Sequence, residues 1–124
     1  MKYPVIHFKK INWFSVKRSI KHWWQRRTRG FSDDETWSLN YEIAKFTLPR
    51  LKLFKEFNFG YPSSITSEEW NIILDKIIFS LEYEVARYKG EEKLPDNPDD
   101  FSAYFEKVQE GFRLFGEWFG NLWW

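Results

Sequence analysis

Apolar residues recur every three or four positions from Trp70 to Tyr88, and this spacing constrains the fold more than any other feature of the chain. Side chains three and four residues apart share one face of an α-helix, whereas a half-buried strand requires strict alternation. Thr66 and Glu69 form a capping-box pattern before the stretch, and Gly90 follows it, so both helix ends are marked. The apolar face comprises Trp70, Ile73, Leu74, Ile77, Ile78, Leu81, Val85 and Tyr88.

The C-terminal segment has the same helical spacing and follows an acidic linker, residues 90–100. We predict that the linker is exposed and without regular structure, and that Asp99 or Asp100 caps the helix after it. Gly116 and Gly120 have the Gly-x-x-x-Gly spacing that permits close helix approach. The apolar face of this helix comprises Phe101, Tyr104, Phe105, Val108, Phe112, Phe115, Phe119 and Leu122.

From Trp37 to Phe57 the apolar residues fall on two helical faces, which predicts a central helix with two packing surfaces. Pro49 lies inside this pattern and removes one backbone hydrogen bond, so we expect a kink or a break there. Two interpretations follow: a bend that wraps the core, or a pocket lined by freed backbone carbonyls. One face carries Trp37, Tyr41, Ala44, Leu48 and Leu51, and the other carries Leu39, Ile43, Phe46, Leu53 and Phe57.

Residues 1–30 carry nine lysines and arginines and no Asp or Glu, whereas the rest of the chain carries ten cations and 18 anions. A basic arm is therefore joined to an acidic body, although the net charge of the whole chain is only +1. The spacing from Trp13 to Arg29 predicts a basic amphipathic helix that ends at Gly30. The candidate binding residues of the arm are Lys17, Arg18, Lys21, Trp24, Arg26, Arg27 and Arg29.

The arm ends in arginines and is followed closely by Asp33, Asp34 and Glu35. Ser32 is a good N-cap with Glu35 as its capping-box partner, and carboxylates in a first turn complement the helix dipole. We therefore predict that Ser32 starts the central helix and that the two charge clusters pair across the turn.

These patterns predict an all-α fold, a compact helical bundle of about four helices with an N-terminal basic amphipathic helix and a proline-kinked central helix. Aromatic residues make up 22% of the chain, and their large buried area compensates for the absence of cysteine cross-links. We assign residues 1–30 to an arm that packs on the body, and residues 31–124 to the body. No apolar run reaches the roughly 20 residues needed to span a bilayer, so we expect a cytoplasmic protein without a transmembrane segment.

Catalytic groups are scarce. The chain lacks cysteine, and His7 and His22 lie in the basic arm, where no carboxylate is near in sequence to orient them. We assign no catalytic residue, no metal ligand and no cofactor. One enzyme class stays as an alternative, a metal-dependent phosphohydrolase that uses Asp33, Asp34 and Glu35.

Lysine and arginine bind phosphates and carboxylates, and aromatic rings beside them add stacking and cation–π contacts. Such combinations are therefore candidates for binding a phosphorylated ligand or a protein. A concavity opened by Pro49 would place such groups around a phosphorylated or nucleotide ligand. The dense aromatic C-terminus must be buried against the core or a partner, and its last two tryptophans are the candidates for exposure. The candidate ligand- or partner-binding residues are Trp37, Tyr41, Lys45, Arg50, Lys52, Trp70, Trp123 and Trp124.

Several stretches occur together in one order: RGFSDDETWSLNYEIAKFTLPRLKLFKE, then GYP, a Glu-Glu-Trp helix start, ILDKII and FGEWFGNLW. Over roughly residues 26 to 123 the chain resembles a widespread family of small proteins encoded by bacteriophages and prophages, most specifically in its Asp-x-x-Thr-Trp-Ser-Leu run. Members typically carry Asp where this chain has Glu35, Asn40 and Trp124, so two carboxylates of any catalytic set are missing here. The family has no assigned activity, and the resemblance implies a phage context, the cytoplasm of a bacterial host and an all-helical body.

A small phage protein without catalytic groups is expected to act by non-catalytic binding, inhibiting or sequestering a host component such as an antiviral defence factor. Two alternatives stay open: a sponge for a signalling nucleotide, and nucleic-acid binding through phosphate contacts and base stacking by the arm. The arm could instead dock on the body or lie on an anionic membrane surface. The expected partner is a host protein, and self-association stays open.

Overall fold

A computed structural model describes residues 12–57 and 60–123, and over these residues the chain forms four α-helices and no strand. The all-α prediction is confirmed. The helices are α1 (Trp13–Arg29), α2 (Leu39–Phe57), α3 (Ser67–Lys89) and α4 (Phe101–Glu117). Three short 3-10 turns accompany them within the described residues, at Asp33–Thr36, Pro98–Asp100 and Phe119–Asn121.

The chain divides into two compact units, Met1–Leu39 and Asn40–Trp124, which we describe separately. The first unit extends past α1 because the 3-10 turn Asp33–Thr36, named the acidic turn below, contacts α1. Gly30 ends α1 with a φ of 89°, a left-handed conformation that glycine adopts without a steric cost, and the chain reverses there.

The prediction that Ser32 starts the central helix is wrong. The Ser32 N–H donates to Glu35 Oε2 at 3.2 Å, as a capping box requires, but the turn it caps is the acidic turn and α2 begins only at Leu39. Thr36 Oγ1 donates to the Asp33 carbonyl at 2.6 Å and closes this short turn. The capping box at Ser32 is therefore present, but it begins a four-residue turn and not the long helix.

In the second unit, α2, α3 and α4 share one core. Leu74 and Ile77 of α3 have no exposed surface, and Ala44 and Leu51 bring one face of α2 into the same cluster. α2 runs antiparallel to α3, since Asn40 donates to Glu84 near one end and Lys55 donates to Asp75 near the other. The buried apolar residues of this unit are Ala44, Leu51, Trp70, Leu74, Ile77, Leu81 and Val108.

α3 and α4 approach closely at Gly111. A Cβ added there would lie 1.8 Å from Ser80 Oγ and 2.3 Å from the Lys76 carbonyl oxygen. Ser80 Oγ also donates a buried hydrogen bond to the Val108 carbonyl at 2.6 Å, which links the two helices. The predicted close approach at Gly116 and Gly120 is wrong, because a Cβ at either would meet no atom within 4 Å.

Of the kink or break expected at Pro49, the break does not occur, because α2 is continuous from Leu39 to Phe57. The prediction of two buried faces is also wrong: α2 packs through Ala44 and Leu51, and its other face is open. The residues of that open face are 45–61% exposed, namely Leu39, Ile43, Phe46, Leu53 and Phe57.

The acidic linker has no regular structure from residue 91 to 95, as predicted. Its cap differs from the prediction, because Asn97 Oδ1 accepts from the Asp99 N–H at 3.1 Å while Asp100 makes no side-chain cap. At the aromatic end of the chain, the Trp118 ring meets the buried Trp70 ring edge-on, with centroids 5.8 Å apart. Trp123 remains exposed, and Trp124 lies outside the described residues.

Candidate interaction surfaces

One face of α1 holds the acidic turn through a network centred on Asp33. Arg29 Nη2 donates to Asp33 Oδ1 at 2.5 Å, and Gln25 Nε2 donates to Asp33 Oδ2 at 2.8 Å. Gln25 Oε1 in turn accepts from the Asp33 N–H at 2.9 Å. Lys21 and Arg26 add ion pairs of 3.5 Å to Asp33 and 3.8 Å to Glu35. The predicted pairing of the two charge clusters is confirmed.

His22 lies on the same face, and a carboxylate that is distant in sequence lies near it in space. Its Nδ1 is 3.6 Å from Asp34 Oδ1, and its ring meets the Trp37 ring edge-on at 6.2 Å. The separation from Asp34 is too long for a direct hydrogen bond, so the two groups do not form a general-base pair of the usual geometry. The fold of the turn, rather than sequence spacing, brings this carboxylate to His22.

The network has a marked effect on Asp33. Hydrogen bonds from Gln25 and then Arg29 lower the pKa of Asp33 from 3.8 to about 2. The Ser32 hydroxyl lowers the pKa of Asp34, and the charge of His22 adds to that effect. Because the folded pKa of Asp33 is the lower one, its pairing stabilises the turn above about pH 4 and is lost as the pH falls through about 2.

Replacing Gln25 with alanine is therefore expected to raise the pKa of Asp33 toward 3.8, since the largest cause of its depression is removed. The titration of the Asp33 carboxyl carbon, followed by NMR, measures this value directly. Gln109→Ala is the matched control, because Gln109 is an exposed residue of α4. An Asp33 that titrates near 3.8 in the unmodified protein would contradict the network.

The opposite face of α1 is free of such contacts. Successive residues are rotated by about 100° in a helix, which places Trp13, Val16, Ile20, Trp23 and Trp24 within a stripe roughly 100° wide, away from the side chains that bind the acidic turn. We call these five residues the exposed face of α1. No residue of α1 is buried, and four members of the face are 55–69% exposed.

The exposed face has the spacing of a helix-binding surface. From Trp13 to Val16, Ile20 and Trp23 the intervals are three, four and three residues, as in helices that dock on another helix or in a groove. A groove of about 360 Å³ runs beside Val16 and Ile20, where Ser15 and Ser19 leave room for an approaching side chain.

Cations border the exposed face. The Arg27 guanidinium lies 5.9 Å from the Trp23 ring centroid, in the range of a cation–π contact. Lys17 and Arg18 form no ion pair with any residue that the structure describes, whereas Lys21, Arg26 and Arg29 are engaged by the acidic turn. Trp24, the arm's candidate aromatic residue, is 61% exposed beside these cations. Three of the six lysines and arginines of α1 are thus already paired.

A second open face lies on α2 and was missed by the sequence analysis, which assigned it to the core. Ile43, Phe46, Arg50, Leu53 and Phe57 follow intervals of three, four, three and four residues. Arg50 covers part of this face, with its guanidinium 3.7 Å from the Phe46 ring centroid and its Nη1 donating to the Phe46 carbonyl at 2.7 Å. An arginine in the middle of the apolar series was the available signal that this face meets water.

The pocket that was one of two interpretations of Pro49 does not coincide with the cavity beside α2. A cavity of about 300 Å³ lies between α2, α3 and α4, but neither Pro49 nor any predicted cation lines it. Its walls are apolar apart from Asn40 and Glu84, which bond to each other. Arg87 Nη2 lies 3.7 Å from the same carboxylate, so Glu84 already has partners.

The structure separates the residues of the predicted ligand site. Tyr41 stacks on Tyr88 with centroids 3.9 Å apart, and Lys45 lies 5.7 Å from the Tyr41 ring centroid. Trp70 is buried near the other end of α3, and a helix rises about 27 Å between Trp70 and Tyr88. Lys52 pairs with Glu82 at 2.9 Å. Tyr41 and Lys45 adjoin, and Trp70 belongs to the core.

Of the carboxylates considered for metal catalysis, Asp33 and Glu35 pair with cations of α1, and Asp34 accepts from the Ser32 hydroxyl. Over residues 12–57 and 60–123, no group of three or more His, Cys, Asp or Glu side chains converges as a metal site would require.

Trp37, one of the candidate ligand-binding residues, is 68% exposed.

In the described ranges no helix combines the length and apolar character needed to cross a membrane. Comparison of the chain with family models, curated proteins and solved structures gives no match.

Proposed function

We propose that this chain is a non-catalytic binding protein, and that the exposed face of α1 is the surface with which it recognises a protein partner. The observation that carries the proposal is the combination of exposed tryptophans with a helix that buries none of its residues. An apolar aromatic surface of this kind is costly to leave in water, and Trp is enriched among residues that dominate binding energy at interfaces.

The charges around α1 favour a protein partner over a nucleic acid. Residues 12–39 carry six cations and three anions, and the anions lie against three of the cations. Asp33, Asp34 and Glu35 would repel a phosphate backbone or a nucleotide on the side of α1 that holds the acidic turn. On the opposite side, the exposed face consists of three tryptophans, a valine and an isoleucine, which suit an apolar surface better than phosphates. The proposed partner instead offers an apolar groove with acidic groups that meet Lys17 and Arg27 at its rim.

In the phage context that the sequence resemblance implies, the partner would be a host protein, and binding would inhibit or sequester it. An antiviral defence factor is the host component that we propose, and the action needs no catalytic group. The argument for binding rests on α1 and is independent of the identity of the host component.

Site-specific photocrosslinking tests the proposal. p-Benzoylphenylalanine is placed at position 24, on the exposed face, and in a matched variant at position 72 of α3, where Ile72 is 53% exposed. After irradiation in bacterial lysate, we expect a discrete protein adduct from position 24 and none from position 72. The adduct should form to the same extent when nuclease or salt is added before irradiation, because apolar contacts are insensitive to counterions.

Two outcomes would overturn the proposal. If nuclease or raised salt applied before irradiation abolishes the adduct from position 24, the arm binds nucleic acid instead. Equal adduct patterns from positions 24 and 72 would mean that the exposed face of α1 has no specific partner.

A further inference from the structure

The second unit contains another concave site, separate from the cavity lined by Asn40 and Glu84. It is a pocket of about 360 Å³ where the C-terminal half of α3, residues 91–93 and the first turn of α4 meet. Three aromatic side chains and three carboxylates line it: Phe79, Tyr83, Tyr104, Glu82, Glu91 and Glu92. Lys93 also lines it.

The rings form a connected wall. Phe79 and Tyr83 each meet Tyr104 edge-on, with centroids 5.7 and 5.8 Å apart and planes at 77° and 71°. Aromatic rings carry a negative face, so differently oriented rings around one cavity can surround a cation. Outside the pocket lining, Lys107 Nζ lies 4.5 Å from the Phe79 ring centroid, so this ring already accepts an ammonium group as a cation–π partner.

The charge lining the pocket is only partly compensated. Glu82 pairs with Lys52 at 2.9 Å, whereas Glu91 and Glu92 form no ion pair with any residue in the described ranges. Glu92 Oε2 is enclosed, and within the described part of the chain it accepts no hydrogen bond. An enclosed carboxylate oxygen without a donor is unfavourable, so a nearby cation would stabilise it.

Burial, the Tyr83 hydroxyl and the Glu92 charge raise the pKa of Tyr104. The last two causes agree with a negative electrostatic potential in the pocket.

We propose that this pocket binds an organic ammonium group. The aromatic wall supplies cation–π attraction, and the carboxylates of Glu91 and Glu92 supply the opposite charge that a quaternary or alkyl ammonium needs. Lys93 opposes a cation, but its flexible side chain can turn to solvent at little cost. Two sources share this chemistry: a small ammonium compound, and a lysine side chain of another protein.

The test uses the intact protein and NMR of the Tyr83 and Tyr104 ring protons. Choline chloride is the cationic probe, and 3,3-dimethylbutan-1-ol is its neutral counterpart of the same shape. We expect choline, and not the alcohol, to shift these resonances in a saturable way. Glu92→Gln should weaken choline binding by about tenfold or more, whereas Glu106→Gln, an exposed carboxylate of α4 outside the pocket, should not.

A trimethyllysine peptide distinguishes the two sources. Tighter binding of the peptide than of choline would assign the pocket to a protein side chain, and equal or weaker binding would assign it to a small molecule. Equal shifts from choline and the alcohol, no shift from either, or an unchanged affinity in Glu92→Gln would each overturn the proposal. None of these outcomes bears on the exposed face of α1, so the two proposals fail independently.

Discussion

Replacing Gly111 with alanine is expected to destabilise the second unit by about 1–3 kcal/mol. The new Cβ would lie 2.3 Å from the Lys76 carbonyl oxygen, and a backbone atom cannot move aside as the end of a side chain can. The helices would have to separate, which would also stretch the buried hydrogen bond from Ser80 to Val108. Denaturant unfolding followed by circular dichroism at the helix signal measures the free energy of unfolding.

Gly116→Ala is the matched control, in the same helix and with open space around its Cβ position. Alanine is favoured over glycine in a helix by up to about 1 kcal/mol, so this change is expected to stabilise the protein. The two identical substitutions should therefore have opposite signs. If Gly111→Ala stabilises as much as Gly116→Ala, α3 and α4 do not cross at Gly111.

Leu74→Ala is expected to cost about 2–5 kcal/mol, because Leu74 has no exposed surface and its removal leaves a cavity in the shared core. A small unit with a total stability of about 5–15 kcal/mol would lose a large part of it. The free energy of unfolding is again the measurement. Ile72→Ala, in the same helix at 53% exposure, should stay within about 0.5 kcal/mol of the unmodified protein. Equal losses at positions 74 and 72 would contradict the assigned core face of α3.

The ends of α3 were predictable because their signals are local. Thr66 Oγ1 accepts from the Glu69 N–H at 3.2 Å, and Gly90 ends the helix with a φ of 72°. Each signal involves residues within one helical turn, so tertiary packing does not have to be known. The same holds for α1, whose end at Gly30 was predicted from its sequence.

The partners of each face could not be predicted, because they depend on contacts that are distant in sequence. Periodicity identified both apolar faces of α2 correctly, but it could not tell that Leu51 is buried while Leu53 is open. Glycine spacing likewise could not tell Gly111, which faces Ser80, from Gly116, which faces open space. Burial is a property of the assembled helices and not of one helix alone.

In the candidate sites, too, local contacts were predictable from the sequence and contacts that depend on the folded path were not. The pairing of Arg29 with Asp33 was predictable from two charge clusters separated by a glycine turn. The approach of Asp34 to His22 needed the actual path of that turn. The separation of the candidate ligand residues Tyr41 and Trp70 also depends on packing, because Tyr41 of α2 stacks on Tyr88 at the C-terminal end of α3 whereas Trp70 lies near the N-terminal end.

The measurement that tests the central claim most directly is the affinity of the crosslinked partner for two matched variants, Ile20→Ser and Ile72→Ser. Ile20 is 60% exposed on α1 and Ile72 is 53% exposed on α3, so the two changes remove equal apolar groups from surfaces of similar exposure. If the exposed face of α1 is the recognition surface, Ile20→Ser weakens binding by about tenfold and Ile72→Ser leaves it unchanged. Equal affinities of the two variants would contradict the claim.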